Sequence, residues 1–126
     1  TGVEADEKML YIAQRYFNIH QLPHVKLVHL DAELFVKQTQ DTFDVIIIDL
    51  FIETDMPAFV YEETFIKRVQ ELMKSNAHLI FNTIEKSESV ALQNSTFESK
   101  FDSDFFPVVR KIAMDVQNQV YIIQKK

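Results

Sequence analysis

Asp49 closes the run Phe43-Asp44-Val45-Ile46-Ile47-Ile48-Asp49, and the stretch Leu50 to Pro57 that follows carries two more acids, Glu53 and Asp55. A carboxylate at the exit of an apolar run is placed to accept hydrogen bonds from a ligand, or to take a proton from one. Val45 to Ile48 are consecutive β-branched residues without a polar face. They predict a buried strand covered on both sides, as in parallel sheets flanked by helices. Such sheets bind ligands beyond the carboxyl ends of their strands, so Asp49 is a functional candidate on position alone.

Other reactive side chains are less well arranged. His20 and His24 lie four apart, but Pro23 interrupts the helix that would align them, and the chain has no cysteine to complete a metal set. No metal is expected. His29 falls within a strand and His78 at the start of one, where packed or edge histidines are ordinary. Asn94-Ser95-Thr96 matches a glycosylation acceptor, which a cytosolic chain would not use. Phe97, Phe101, Phe105 and Phe106 lack clustered basic partners and read as core rather than as a base-stacking platform. No nucleophile-elbow pattern supports a Ser-His-Asp triad.

The elements that must position the acids alternate along the chain. Val3-Glu4-Ala5-Asp6 ends a strand, and Asp6 caps a helix with Glu7 in its first turn. Met9, Leu10, Ala13, Tyr16 and Phe17 mark one face of that helix. After Pro23, Val25 to Leu30 is the next strand, ending at Asp31-Ala32, and Leu34, Phe35 and Gln38 suggest a short helix. Phe43 to Asp49 is the third strand. A helix then carries Phe65, Ile66, Val69, Leu72 and Met73, with Ser75-Asn76 ending it and Asn76 in the left-handed position. Ala77 to Asn82 is a fourth strand, and Ser87 caps a further helix through Val90, Phe97 and Phe101. Val108 to Met114 and Gln119 to Gln124, joined by Asp115-Val116-Gln117-Asn118, form an antiparallel hairpin. Strand alternating with helix indicates an α/β fold with a doubly wound sheet.

The 126 residues, 47% of them hydrophobic, suit one compact domain, residues 1–126. Without cysteine or a charged-then-apolar leader, the cytoplasm is the expected compartment. No apolar run approaches the roughly 20 residues of a membrane helix. A net charge of −6 argues against a phosphate-backbone binder and suits a cationic ligand. The single glycine, Gly2, contrasts with the roughly nine of an average chain this long, and a nucleotide-binding domain usually opens on a glycine-rich loop.

Val3-Glu4-Ala5-Asp6, Leu30-Asp31-Ala32 and Phe43 to Asp49, in that order, resemble the spermidine synthase family, within the class I S-adenosylmethionine-dependent methyltransferase fold. The helix ending in Arg15-Tyr16-Phe17 is similar too, and the resemblance covers nearly the whole chain. It implies a Rossmann-like doubly wound sheet with a C-terminal antiparallel hairpin. It also implies that Glu4 grips the ribose hydroxyls of the nucleoside cosubstrate, since a carboxylate accepts two bonds from a vicinal diol. Asp31, followed by Ala32, matches the residue set against the adenine amino group, with Leu30 where the family has glycine. Asp31 is also a natural helix N-cap, and both roles can coexist.

Asp49 matches the aspartate beside the attacking amine, where a carboxylate would take the proton the amine sheds. The family's second polyamine-holding aspartate stands three positions on, where this chain has Ile52. Glu53 and Asp55 are the loop acids available to bind the polyamine in its place, against the plainer reading of solvated loop acids. The Asp-Leu-Phe start of the loop is closer to spermidine-synthase-like bacterial proteins than to established synthases. The family's first strand, in the middle of its sheet, and its glycine-rich loop have no counterpart here. The chain is therefore expected to be the C-terminal part of a longer protein. The strand edges so exposed would pair directly, or another chain, as in a homo-oligomer, would fill the gap.

The implied activity is transfer of an aminopropyl group from decarboxylated S-adenosylmethionine to a polyamine such as putrescine. Two alternatives stand beside it. One is methyl transfer from S-adenosylmethionine to another acceptor, which Ile52 favours. The other is a non-catalytic fragment or association module, which the absent glycine loop favours.

Overall fold

Apolar runs separated by polar breaks fold in the computed structural model, which describes residues 1–101, 103–114 and 117–126, into six strands and four α-helices. They are β1 (Gly2–Glu4), α1 (Glu7–Phe17), β2 (Leu27–His29), α2 (Ala32–Gln38), β3 (Phe43–Ile48), α3 (Glu63–Leu72), β4 (Met73–Ile84), α4 (Glu88–Ser99), β5 (Val108–Ala113) and β6 (Asn118–Gln124). The architecture is α/β, and the chain forms two compact units, residues 1–39 and 40–126.

In the first unit β1 and β2 pair in parallel, Gly2 opposite Leu27 and Glu4 opposite His29. Asp6 caps α1, accepting from the Lys8 amide at 2.8 Å. Asn18, left-handed at φ 51°, ends it. The strand expected over Val25 to Leu30 shortens to three residues. The expected apolar face of α1 is only half realised: Leu10 and Ala13 are partly buried, whereas Met9, Tyr16 and Phe17 are exposed. A two-stranded sheet in a unit this small has too little surface to cover a helix face.

The second unit is a mixed sheet in the order β3-β4-β6-β5. β3 runs parallel to β4, and β6 runs antiparallel to both its neighbours. One face of this sheet is the core. Ile48, Phe81 and Tyr121 sit side by side across three strands, flanked by Leu79 and Ile123, and all are buried. Phe97 of α4 packs on Phe81 with ring centroids 4.2 Å apart, and Phe101 and Phe106 extend the cluster at 5.2 and 5.1 Å steps. Phe97, Phe101 and Phe106 are core, as their lack of basic neighbours predicts, whereas Phe105 is 70% exposed and does not join them.

The opposite face corrects the sequence reading of β3. Val45 and Ile47 are 52% and 66% exposed, so the strand is covered on one side only. The aromatic contacts that seat the helical layer reach the Ile48 and Phe81 side, and an all-apolar run does not reveal which of its faces has a partner. β1 pairs with β2 in one sheet, and β3 with β4 in the other.

A second correction concerns the end of α3. The helix stops at Leu72, and β4 begins at once with Met73. Asn76 is left-handed at φ 63° as expected, but inside the strand, where the ladder with β3 slips between Phe43 and Val45. An asparagine signals that conformation without saying whether it caps a helix or kinks a strand. His78 therefore lies within β4 rather than at its start. Ser87 caps α4 as read, accepting from the Val90 amide at 3.3 Å, while Phe101 lies past the helix end and is still buried. The closing hairpin is present, Val108 opposite Gln124 and Ala113 opposite Gln119, and of its expected connection Asp115 and Val116 lie outside the described residues. Among the described residues no helix is long and apolar enough to cross a membrane.

Candidate functional site

Strand ends position the acids in both units. In the first, β1 delivers Glu4, and β2, parallel to it, delivers Asp31 two residues past its last residue, His29. The Leu30 amide donates to the Glu4 carbonyl at 3.1 Å, which continues the ladder and sets Glu4 and Asp31 at the same end of the strand pair. Glu4 Oε1 accepts from the Asp6 amide at 2.8 Å, and His29 Nε2 lies 3.0 Å from the Ala5 carbonyl. Both contacts stiffen the turn out of β1. Asp31 Oδ1 accepts from the Glu33 and Leu34 amides at 2.9 and 3.1 Å, so it caps α2. Ala32 is the first residue of that helix.

In the second unit Asp49 follows β3 directly and is exposed. Its Oδ1 accepts from Asn82 Nδ2 at 2.8 Å, across from the neighbouring parallel strand. The amide fixes the carboxylate's direction without neutralising it. Downstream, the Ile52 and Asp55 backbones exchange hydrogen bonds of 2.8 and 3.0 Å, with Glu53 left-handed at φ 58° between them. This closes the loop into a tight turn, with Glu53 at its exposed tip. Asp55 is ion-paired with Lys86, just beyond β4, and Lys86 Nζ also donates to the Thr54 carbonyl at 3.4 Å.

Behind this loop lies a buried polar knot. Asn94 Oδ1 accepts from the Tyr61 hydroxyl at 2.9 Å and the Thr83 hydroxyl at 3.1 Å, and Asn94 Nδ2 donates to the Ile84 carbonyl at 3.3 Å. Asn94 and Thr83 are both 0% exposed, so the glycosylation pattern at Asn94 is a packing residue in α4. Burial pushes the Tyr61 hydroxyl above its ordinary 10.0, with the Thr83 hydrogen bond opposing. The knot ties the chain just after the loop to β4 and α4.

Asn82, Lys86, Tyr61 and Thr83 were not singled out in the sequence, and Asn94 stood out only as a glycosylation pattern. Asn82 had a usable signal, since it ends a predicted strand as Asp49 does. Nothing local marks the other residues.

The family model of the spermine/spermidine synthase domain matches residues 1–120. Among solved structures, human methyltransferase-like protein 13 in complex with SAH superposes with a TM-score of 0.75 at 21% identity, over 98% of this chain and 60% of that one. Spermidine synthase from Thermotoga maritima gives 0.71 at 19% identity, over 98% of this chain and 44% of that one. A spermidine synthase in complex with the transition state analogue AdoDATO gives 0.67 at 15% identity, over 98% and 43%. The chain thus spans less than two thirds of each of these neighbours. No curated protein matches by sequence. The likenesses establish a Rossmann-like fold of the class I methyltransferase type, and by the domain match the chain belongs to the spermine/spermidine synthase family.

Proposed function

We propose that the whole protein is a transferase that moves an aminopropyl group from decarboxylated S-adenosylmethionine to a polyamine such as putrescine. The observation that supports this most is Asp49, an ionisable acid leaving a parallel strand and held in one orientation by Asn82. In the proposed step the acceptor's amine nitrogen attacks the methylene carbon attached to the sulfonium. A C–N bond forms, the C–S bond breaks with its electron pair going to sulfur, and a neutral thioether leaves. Asp49 takes the proton the amine gives up, the task of a general base. Glu4 would bind the ribose hydroxyls, and Asp31 with Ala32 the adenine edge, while Glu53 and Asp55 would face the polyamine. The domain match supports a transferase of this family, and the roles follow from the resemblance. The reading makes residues 1–126 one partial methyltransferase-like domain working in the cytoplasm on small molecules, with no nucleic-acid or membrane partner, and leaves room for a homo-oligomer.

A second reading, methyl transfer from S-adenosylmethionine to another acceptor, is favoured by Ile52 at the place of the family's second aspartate. The methyltransferase fold neighbours are compatible with it. Calorimetric titration of the full-length protein with S-adenosylmethionine and its decarboxylated form separates the two. Exclusive binding of the decarboxylated form supports aminopropyl transfer, and preference for S-adenosylmethionine reverses the order. Silence toward both leaves an association module. Asp49→Asn is expected to abolish transfer and leave nucleoside affinity within about twofold; unchanged turnover would remove Asp49 as the base.

A further inference from the structure

Lys86 holds the loop after Asp49 in an arrangement with consequences for the acceptor. Its ammonium pairs with the Asp55 carboxylate and donates to the Thr54 carbonyl at 3.4 Å. Both acceptors belong to the turn closed by Ile52 and Asp55. One carboxylate and one carbonyl around an ammonium is a natural way to hold the far end of a linear diamine, since an ammonium has three donors and no acceptor. Here the chain supplies that ammonium itself. We propose that Lys86 occupies, from within the protein, the position a second substrate ammonium would take on this loop, so that a polyamine acceptor has to displace it from Asp55 and gains little from its second amino group.

The proposal rests on the reading of Asp49 as the residue facing the reacting amine, and adds what happens six residues further along. With Ile52 apolar and Asp55 already paired, the turn offers Glu53 as its remaining acid. That side chain stands at the solvent-exposed tip, where water and salt screen its charge. A diamine binding here would have to displace Lys86 from Asp55 or leave its far ammonium in water. The Lys86 and Asp55 side chains are 32% and 67% exposed, so the pair is weak and the selectivity it confers is severalfold rather than absolute.

The test compares putrescine with n-butylamine by calorimetry on the full-length protein and its variants. Native protein should bind the two amines within about twofold of each other, and Lys86→Met should gain about three- to fivefold for putrescine with little change for n-butylamine. Lys86→Gln, which keeps a polar side chain of similar length, should repeat the gain. Lys86→Arg, which keeps the charge, should behave as native protein. Adding Asp55→Asn to Lys86→Met should erase the gain. A severalfold putrescine preference in native protein, or the same ratio after Lys86→Met, would overturn the proposal and leave Asp49's role standing. If Asp49→Asn leaves n-butylamine affinity unchanged, or neither amine binds native protein, the reading of Asp49 fails and the Lys86 proposal falls with it.

Discussion

Asn82 donates from Nδ2 to the Asp49 carboxylate at 2.8 Å, which joins the exit of β3 to a residue within the adjacent parallel strand β4. Ile48 is paired with Phe81 in the ladder, so the residues that follow each of them are opposite one another by register rather than by side-chain reach. A bond built on register is costly to lose, because neither backbone can shift to restore it. Asn82→Ala should therefore lower turnover about three- to tenfold, at a cost of about 0.5–1.5 kcal/mol for one hydrogen bond. Nucleoside affinity should stay unchanged, and Asn82→Gln should fail to restore turnover because its amide is one methylene too far out. Steady-state kinetics with parallel nucleoside titration reads this, and native turnover in Asn82→Ala would show that Asp49 needs no orienting partner.

Asp31 does two things if it both caps α2 and meets the adenine. The cap uses Oδ1, which accepts from Glu33 and Leu34 amides. Serine caps helices about as well as aspartate, whereas alanine costs roughly 1 kcal/mol. Asp31→Ser should thus keep thermal stability close to native and still lose about tenfold in nucleoside affinity, while Asp31→Ala loses both. Equal affinity in native protein and Asp31→Ser would reduce Asp31 to a cap.

What was legible beforehand follows the range of the interactions. Caps at Asp6, Asp31 and Ser87, and the left-handed Asn76, are encoded within a few residues, and each is realised. The strand into Asp49 and the closing hairpin have patterns long enough to read. The exposure of Val45 and Ile47 was not legible, because it depends on which face the helices cover. Asn82 meeting Asp49 and Lys86 meeting Asp55 were hidden for a related reason. Each joins residues far apart in the chain, brought together by the β3–β4 register or by the closure of the loop into a turn.

The knot around Asn94 should be the most sensitive polar position in the larger unit. Asn94→Ala removes the acceptor shared by Tyr61 and Thr83 and the donor to the Ile84 carbonyl, all within a closed environment. Leaving several buried groups unpaired should cost about 2–4 kcal/mol, against about 1 kcal/mol for Tyr61→Phe, which deletes a single donor. Urea unfolding of both variants and of the double variant reads the values. Because they share one hydrogen bond, the losses should fall short of additive by about 0.5 kcal/mol or more. Strict additivity would mean that Tyr61 and Asn94 act independently.

Alkali should destabilise the fold, and Tyr61 should account for part of the slope. Burial raises the Tyr61 and Tyr121 hydroxyls above their ordinary 10.0, so the folded chain keeps both protons where the unfolded chain has begun to release them. With fewer protons bound to the unfolded state, stability falls as pH rises past that value. Lys111 adds to the same trend. Its hydrogen bond to Glu85, at 2.6 Å, raises the ammonium above 10.5, so its contribution is complete below that pH and is lost as pH climbs through the folded value. Urea midpoints measured from about pH 8 to about pH 11 should therefore decline, and more shallowly in Tyr61→Phe, which has one fewer buried hydroxyl to ionise. The comparison is of slopes, since Tyr61→Phe also lowers stability at every pH by losing its bond to Asn94. If the two curves ran parallel across the whole range, the Tyr61 hydroxyl would ionise as easily in the folded chain as in the unfolded one, and the knot would have to be open to water.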